Sequence, residues 1–274
     1  MNEVLYTKTF SEWQQELDTE LVKSAESFVK IGYLLKVARD TDILANTGYA
    51  NVVEFAKARY GLDKTQVSRF IHINDRFSED GNSAELQDRY KGMGYAKLTI
   101  MLQLPDEINE EISADFSKSE IEDIKKEIDE ENKISDIEVW MEGTQEDAEK
   151  YNELGQVMYQ LLHDMPELFI KIAQSSIETE ELMNVLAPSG EMIYSVRIPG
   201  TGRLMLSIKV NTGRITITNV RSMEKTEWNI EDLADFVVDI LSRADTEDPA
   251  KAWTSIYKEE YTKKAEVAPV QQEK

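Results

Sequence analysis

The sequence has no cysteine and only two histidines among its 274 residues. Without cysteine it can form no disulfide framework, no thiolate nucleophile and no cysteine-built zinc or iron–sulfur site. A catalytic triad or a histidine-based metal site would have to use His72 or His163. No nucleophile–base pair and no cluster of metal ligands stands out along the chain. We therefore predict that the protein is not an enzyme and uses no metal ion and no cofactor.

Long apolar runs are also missing. No window approaches about 18 uninterrupted apolar residues, the length that a membrane helix needs. The chain starts MNEVLYTKTFSEWQQEL, which lacks the basic and then apolar order of a signal peptide. These features predict a cytoplasmic protein that makes no contact with a membrane.

Positive charge is scarce and unevenly placed. The chain has 31 Lys and Arg against 53 Asp and Glu, a net charge of −22, so most of its surface repels phosphates and anionic lipids. Residues 105–150, the acidic segment, contain 18 acidic residues and five lysines, whereas residues 43–104 contain seven acidic and eight basic residues. The composition therefore excludes diffuse binding to nucleic acid but allows a focal site within residues 43–104.

The first 135 residues are predicted to be helical throughout, because their apolar residues recur at spacings of three and four. Ser11 is a suitable N-cap for the first helix, and Ser117 or Ser119 is suitable for the last. The predicted helices cover residues 11–39, 52–60, 64–77, 84–90, 95–102, 105–112 and a run from 117 or 119 to 131.

The pattern changes toward the C-terminus. A helix from Thr144 that Pro166 interrupts is followed by two short helices at 167–177 and 180–186. Three segments then alternate apolar and polar residues between Gly-containing turns, which predicts a three-stranded antiparallel meander. A helix over 231–244 has an apolar stripe that can cover this sheet. The three predicted strands are residues 192–199, 203–210 and 214–220.

These patterns predict a mainly α protein with an α+β domain near its C-terminus. An all-α domain containing a helix-turn-helix occupies residues 1–135, and an acidic helical connector with further helices occupies 136–185. A small α+β domain, with the three-stranded meander and its covering helix, spans 186–260. Residues 261–274 are predicted to be a disordered tail.

The strongest functional pattern is the helix-turn-helix at about residues 52–77. Gly61 is placed to end its first helix and Asp63 to cap the second, and apolar residues of the second helix face inward. Gln can pair with adenine and Arg with guanine, while Lys, Thr and Ser can hold phosphates. The predicted DNA-binding residues are Lys64, Thr65, Gln66, Ser68, Arg69 and His72 on the outer face, with Lys97 as a further phosphate contact.

An ordinary helix pair inside an all-α domain would show a similar pattern. DNA binding is favoured over that alternative because the pattern coincides with the part of the chain that is not acidic. Runs of acidic residues such as Asp129, Glu130 and Glu131 are interpreted as solvated helix faces rather than as catalytic or metal-binding groups.

The segment GYANVVEFAKARYGLDKTQVSRFI, together with GMGYAKLTIMLQLPDEINEEI after it, resembles the DNA-binding region of plasmid partition proteins of the ParB family. The first of these, with SFVKIGYLLKVARD before it, also resembles uncharacterised proteins from phages and conjugative elements of Gram-positive bacteria. The resemblance covers roughly residues 20–130, and the partition family's nucleotide-binding region is not apparent. It implies DNA binding in a mobile genetic element, without implying a particular operator.

The sequence therefore predicts a non-enzymatic, DNA-binding protein of a mobile element, either a transcriptional regulator or a partition-like protein. Its partner is double-stranded DNA, bound at a focal site, and a homodimer is expected because operators are usually read by dimers. The alternative is an acidic phage or mobile-element protein that inhibits a host nuclease by protein contact or DNA mimicry, as anti-CRISPR and anti-restriction proteins do. In that case the acidic segment would contact the host protein.

Overall fold

The structure is a computed structural model that describes residues 26–45, 47–142, 151–175 and 178–261. Helices dominate these ranges, and four strands form an antiparallel sheet in the C-terminal part. The chain divides into two units, Met1–Lys125 and Lys126–Lys274. The mainly α fold with an α+β part is therefore confirmed.

The N-terminal unit is helical. Its helices are α1 (residues 26–40), α2 (Val52–Tyr60), α3 (Lys64–Phe77), α4 (Tyr95–Met101), α5 (Asp106–Asn109) and α6 (Lys118–Glu131), the last of which contains the boundary between the units. The bounds of α2 and α3 are as predicted, whereas α5 is only four residues long where a helix over 105–112 was predicted. Ser117 caps α6, since its hydroxyl accepts a hydrogen bond from the Glu120 backbone. The predicted cap Ser11, like the rest of residues 1–25, lies outside the described residues.

The helix predicted over residues 84–90 is wrong. Only a single 3-10 turn, Asp88–Tyr90, forms there. The preceding backbone pairs instead with the end of α3: the Gln87 amide donates to the Phe77 carbonyl at 2.9 Å, and Leu86 forms an antiparallel bridge with Ser78. These hydrogen bonds replace the ones that a helix over 84–90 would have made.

Helix α1 packs closely against α3 at Gly32. A Cβ atom placed on Gly32 would lie 2.1 Å from the carbonyl oxygen of Phe70 and 2.9 Å from Cβ of Asn74, so only glycine fits this crossing. The buried Asn74 amide donates to the Val29 carbonyl of α1 at 3.0 Å. This close packing and this hydrogen bond therefore hold the inner side of α3 against α1.

Arg76 fastens the C-terminal end of α3 to the next two helices. Its guanidinium donates to the carbonyl of Met101 at 2.9 Å and to Oδ1 of Asp106 at 2.9 Å. A third hydrogen bond, of 2.5 Å, goes to the Leu104 carbonyl. Since its donors are used within the fold, Arg76 has a structural role at this end of α3.

The C-terminal unit combines helices with the antiparallel sheet, whose strand order is β1-β2-β3-β4. Its helices are α7 (Asp136–Met141), α8 (Glu153–Asp164), α9 (Pro166–Gln174), α10 (Thr179–Leu186), α11 (Ile230–Ser242) and α12 (Pro249–Tyr257). Its strands are β1 (Glu191–Ile198), β2 (Gly202–Lys209), β3 (Arg214–Asn219) and β4 (Lys225–Asn229). The predicted helix start at Thr144 lies outside the described residues, as does the chain from residue 262 onward.

The prediction of a three-stranded meander is wrong by one strand. β4 pairs antiparallel with β3, with Arg214 opposite Asn229 and Thr218 opposite Lys225. Its sequence, KTEWN, lacks the alternation of apolar residues that marked the other strands, because this edge strand stays partly exposed. Helix α12 lies beyond the last predicted element.

One hydrophobic core joins the helices and the sheet of the C-terminal unit. Leu162 of α8 and Phe169 of α9 are fully buried in the same cluster as Leu206 of β2 and Val237 of α11. The aromatic end of α12 completes it, and Trp253 donates its indole hydrogen to the Leu162 carbonyl at 3.1 Å. α8, α9 and α10, which fall within the predicted connector of residues 136–185, therefore share one core with the sheet.

A buried carboxylate lies at the C-terminal end of α6. The Glu131 side chain is 0% exposed and accepts hydrogen bonds from Arg197 of β1 and from Arg221, the latter at 2.8 Å. Nε of Arg203 lies 3.9 Å from the same carboxylate, and its guanidinium also pairs with Glu127. The interpretation of Glu131 as part of a solvated helix face is therefore wrong, because three arginines of the C-terminal unit enclose it.

His163 is expected to make the stability of the C-terminal unit depend on pH. Asp164, 2.9 Å from Nδ1, raises the His163 pKa above 6.5, and Glu259, 3.3 Å from Nε2, raises it further against the opposing effect of burial. A raised folded-state pKa stabilises the fold fully below the unfolded pKa, about 6.5, and this stabilisation disappears as pH rises through the folded value. His163→Gln is expected to make the free energy of unfolding less dependent on pH between about pH 5 and 8, as measured by urea unfolding. An unchanged profile in the variant would contradict the assignment.

Candidate nucleic-acid interface

The turn between α2 and α3 has the geometry that a helix-turn-helix requires. Gly61 adopts the left-handed conformation, with φ of 72°, and its amide donates to the Lys57 carbonyl at 3.0 Å. Asp63 and Gln66 then form a reciprocal capping box at the start of α3. Ala56, five residues before Gly61, is the small residue that is fully buried between the helices, while Lys57 is exposed.

The inner face of α3 anchors the helix as predicted. Val67, Phe70 and Ile71 are buried in one cluster with residues of α1 and α2. The Phe70 ring stacks on Phe28 of α1 at 5.2 Å between centroids, and Phe28 in turn contacts Tyr95 of α4 at 4.1 Å. This packing leaves the opposite face of α3 toward solvent.

Five of the seven predicted DNA-binding residues line one open groove on that face. The groove has a volume of about 610 Å³ and lies between α3 and the C-terminal end of α4. The three residues that line the α4 side of the groove were not predicted, because no local sequence signal shows that α4 packs beside α3. The lining residues are Lys64, Thr65, Ser68, Arg69 and His72 on one side and Thr99, Leu102 and Gln103 on the other.

The other two predicted residues are not among those that line the groove. The Gln66 side-chain oxygen accepts the Asp63 amide hydrogen at 2.9 Å, so it is already used by the capping box. Bidentate pairing with adenine needs both the oxygen and the NH₂ group of a glutamine. The Lys97 ammonium donates to the Ala114 carbonyl at 2.8 Å. Of the predicted residues, only the other five line the groove, where Thr99 and Gln103 add further polar groups.

The two basic side chains that line the groove, Lys64 and Arg69, are not neutralised by the part of the chain that the structure describes. Neither Lys64 nor Arg69 forms an ion pair with any residue that the structure describes. Arg76, on the same helix, is instead paired with Asp106. These cations and the neighbouring Thr65 and Ser68 hydroxyls can donate hydrogen bonds to phosphate oxygens, and the Arg69 guanidinium can also donate to a guanine edge.

The acidic segment offers less free charge than its composition indicates. Glu127, Glu131, Asp136 and Glu142 all pair with arginines of the C-terminal unit. These ion pairs stabilise the fold and reduce the net negative charge that the segment presents to a protein partner. Residues 143–150 of this segment lie outside the described residues.

Other classes of site find little support within the described residues. Residues 26–45, 47–142, 151–175 and 178–261 contain no group of three or more His, Asp or Glu side chains arranged to hold a metal ion. No helix in these ranges is both long and apolar enough to cross a membrane. Comparison of the chain with protein-family models, with curated proteins and with solved structures found no match.

Proposed function

We propose that the protein is a non-enzymatic DNA-binding protein that reads a double-stranded site with α3. One observation carries the proposal: the capped second helix of a helix-turn-helix brings Lys64, Arg69 and three further polar residues to one open groove. The inner face of the same helix packs against α1 and α2, and Arg76 attaches its C-terminal end to α4 and α5. A rigid helix with free cations on its outer face suits insertion into a major groove.

The contacts divide by chemistry. Lys64 and Thr65, at the first turn of α3, and Ser68, one turn later, suit phosphate oxygens that fix the position of the helix. Arg69, with an exposed guanidinium, suits the O6 and N7 acceptors of a guanine. Binding is expected to weaken as salt rises, because its phosphate contacts are ionic, and the −22 net charge adds no attraction beyond this local site.

The role in a mobile element and the homodimer are parts of this proposal. The resemblance to partition proteins and to proteins of phages and conjugative elements supports the first. A dimer would select a palindromic site whose half-sites are about 10 base pairs apart, or a multiple of that spacing. Sedimentation of the protein–duplex complex then gives the stoichiometry directly.

The test compares wild-type protein with a Lys64→Ala, Arg69→Ala double variant. A duplex is first selected from a random-sequence pool with the wild type, and its affinity is then measured by fluorescence anisotropy at several salt concentrations. Each lost contact costs about 1–3 kcal/mol, so the double variant is expected to bind at least about tenfold more weakly. The slope of log affinity against log salt should become shallower by about 1, because only Lys64 of the two residues is assigned to a phosphate.

The control removes the same amount of charge elsewhere. Lys171 and Lys251 are exposed on α9 and α12, and their double alanine variant is expected to keep the wild-type affinity and salt slope. Equal binding by the wild type and the Lys64, Arg69 variant would remove this groove from consideration. Absence of any selected duplex, together with recovery of a nuclease from host lysate, would favour the nuclease inhibitor instead.

A further inference from the structure

Helix α7 presents apolar side chains to solvent. Ile137, Trp140 and Met141 are 69%, 78% and 72% exposed. Residues at i, i+3 and i+4 lie on the same side of a helix, so these three form one continuous stripe. Val139, on the opposite side, is buried. Soluble helices normally turn such a stripe toward a core, and an exposed stripe of this kind marks a surface that binds a partner.

The fold holds α7 in this orientation. At its first turn Asp136 pairs with Arg221 at 2.6 Å, and just after its end Glu142 pairs with Arg197 at 2.6 Å. Ser135 adds a capping box with Glu138. With both ends attached to arginines of the C-terminal unit, the helix cannot rotate to bury its stripe. The apolar stripe is therefore a fixed feature of this surface.

Carboxylates flank the stripe on both sides. At about 100° per residue, Asp136 lies beyond one edge of the stripe and Glu138 beyond the other. The Asp136 side chain is 93% exposed even in its ion pair. Hydrogen bonds from the Ser135 backbone and hydroxyl lower the Glu138 pKa, which keeps that carboxylate ionised. A partner must therefore offer apolar groups at its centre and positive charge at its edges.

We propose that α7 is a docking surface for a basic amphipathic polypeptide segment, with Trp140 as the central anchor. Tryptophan is enriched among the residues that contribute most to protein interfaces, and an apolar centre with a charged rim is the usual arrangement. Charge complementarity does not favour a second copy of this chain, which would bring the same carboxylate-flanked stripe and another net charge of −22. This inference is independent of DNA binding by α3.

The test uses a fluorescein-labelled synthetic peptide with leucines at positions i, i+3, i+4 and i+7 and lysines at the others. A second peptide has the same leucines with glutamates in place of the lysines. The full-length wild-type protein is expected to bind the lysine peptide, with a blue shift in Trp emission, and not to bind the glutamate peptide. Trp140→Ser is expected to lower the affinity for the lysine peptide at least about tenfold.

Val238→Ser is the matched control, because it also replaces an exposed apolar residue, 42% exposed on α11, by serine. It should bind the lysine peptide as tightly as the wild type. Equal binding of the lysine peptide by Trp140→Ser and the wild type would show that diffuse charge alone attracts the peptide. Absence of binding to the wild type would exclude a basic amphipathic partner. Either result overturns the proposal. Sedimentation showing a dimer that Trp140→Ser dissociates would overturn it in favour of a second copy.

Discussion

Glu131→Ala is expected to lower the free energy of unfolding of the C-terminal unit by about 3–5 kcal/mol, the typical cost of removing one partner from a buried ion pair. The carboxylate is 0% exposed. Its removal leaves the Arg197 and Arg221 guanidiniums without their shared acceptor. Arg203 also loses the negative charge that lies 3.9 Å from its Nε. Each of these groups is itself mostly buried, so water can replace the lost hydrogen bonds only in part.

The measurement is urea unfolding followed by Trp fluorescence, to which the buried Trp253 of the same unit contributes. Glu130→Ala is the matched control, because Glu130 is the preceding residue of α6 and is exposed to solvent. A surface change of this kind is expected to stay within about 0.5 kcal/mol of the wild type. If the two variants unfold at the same urea concentration, the buried cluster contributes nothing to stability.

Features with a local cause could be predicted from the sequence. The bounds of α2 and α3 were correct because Gly61 and Asp63 end one helix and begin the next by their own backbone and side-chain chemistry. The inward positions of Val67 and Phe70 follow from the helical period alone. Local signals were therefore sufficient for the helix-turn-helix and for the outer face of α3.

Features with a distant cause could not be predicted. Glu131 looks like any other residue of an acidic run, and its burial depends on Arg197 and Arg221, which are far away in the sequence. β4 becomes a strand because β3 offers it a free edge, although its own residues show no alternation. Thr99 and Gln103 likewise join the groove only through the packing of α4 beside α3.

The proposed function depends on how firmly α3 is held, and Gly32 is the most sensitive position for that packing. In an isolated helix, alanine in place of glycine stabilises by up to about 1 kcal/mol. Here the added Cβ would lie 2.1 Å from the Phe70 carbonyl oxygen and 2.8 Å from its carbon, which are backbone atoms that cannot turn aside. The clash therefore outweighs the helical preference, and α1 and α3 must separate.

Gly32→Ala is accordingly expected to destabilise the N-terminal unit by about 1–3 kcal/mol, as overpacking does elsewhere. It should also weaken duplex binding, although Gly32 is not among the groove-lining residues, because it displaces the backbone that positions Arg69. Far-UV circular dichroism during urea unfolding gives the first quantity and anisotropy the second. Gly94→Ala is the control, since no atom beyond the adjoining residues of the chain lies within 4 Å of its added Cβ. Wild-type stability and affinity in Gly32→Ala would show that the contact between α1 and α3 does not hold α3 in place.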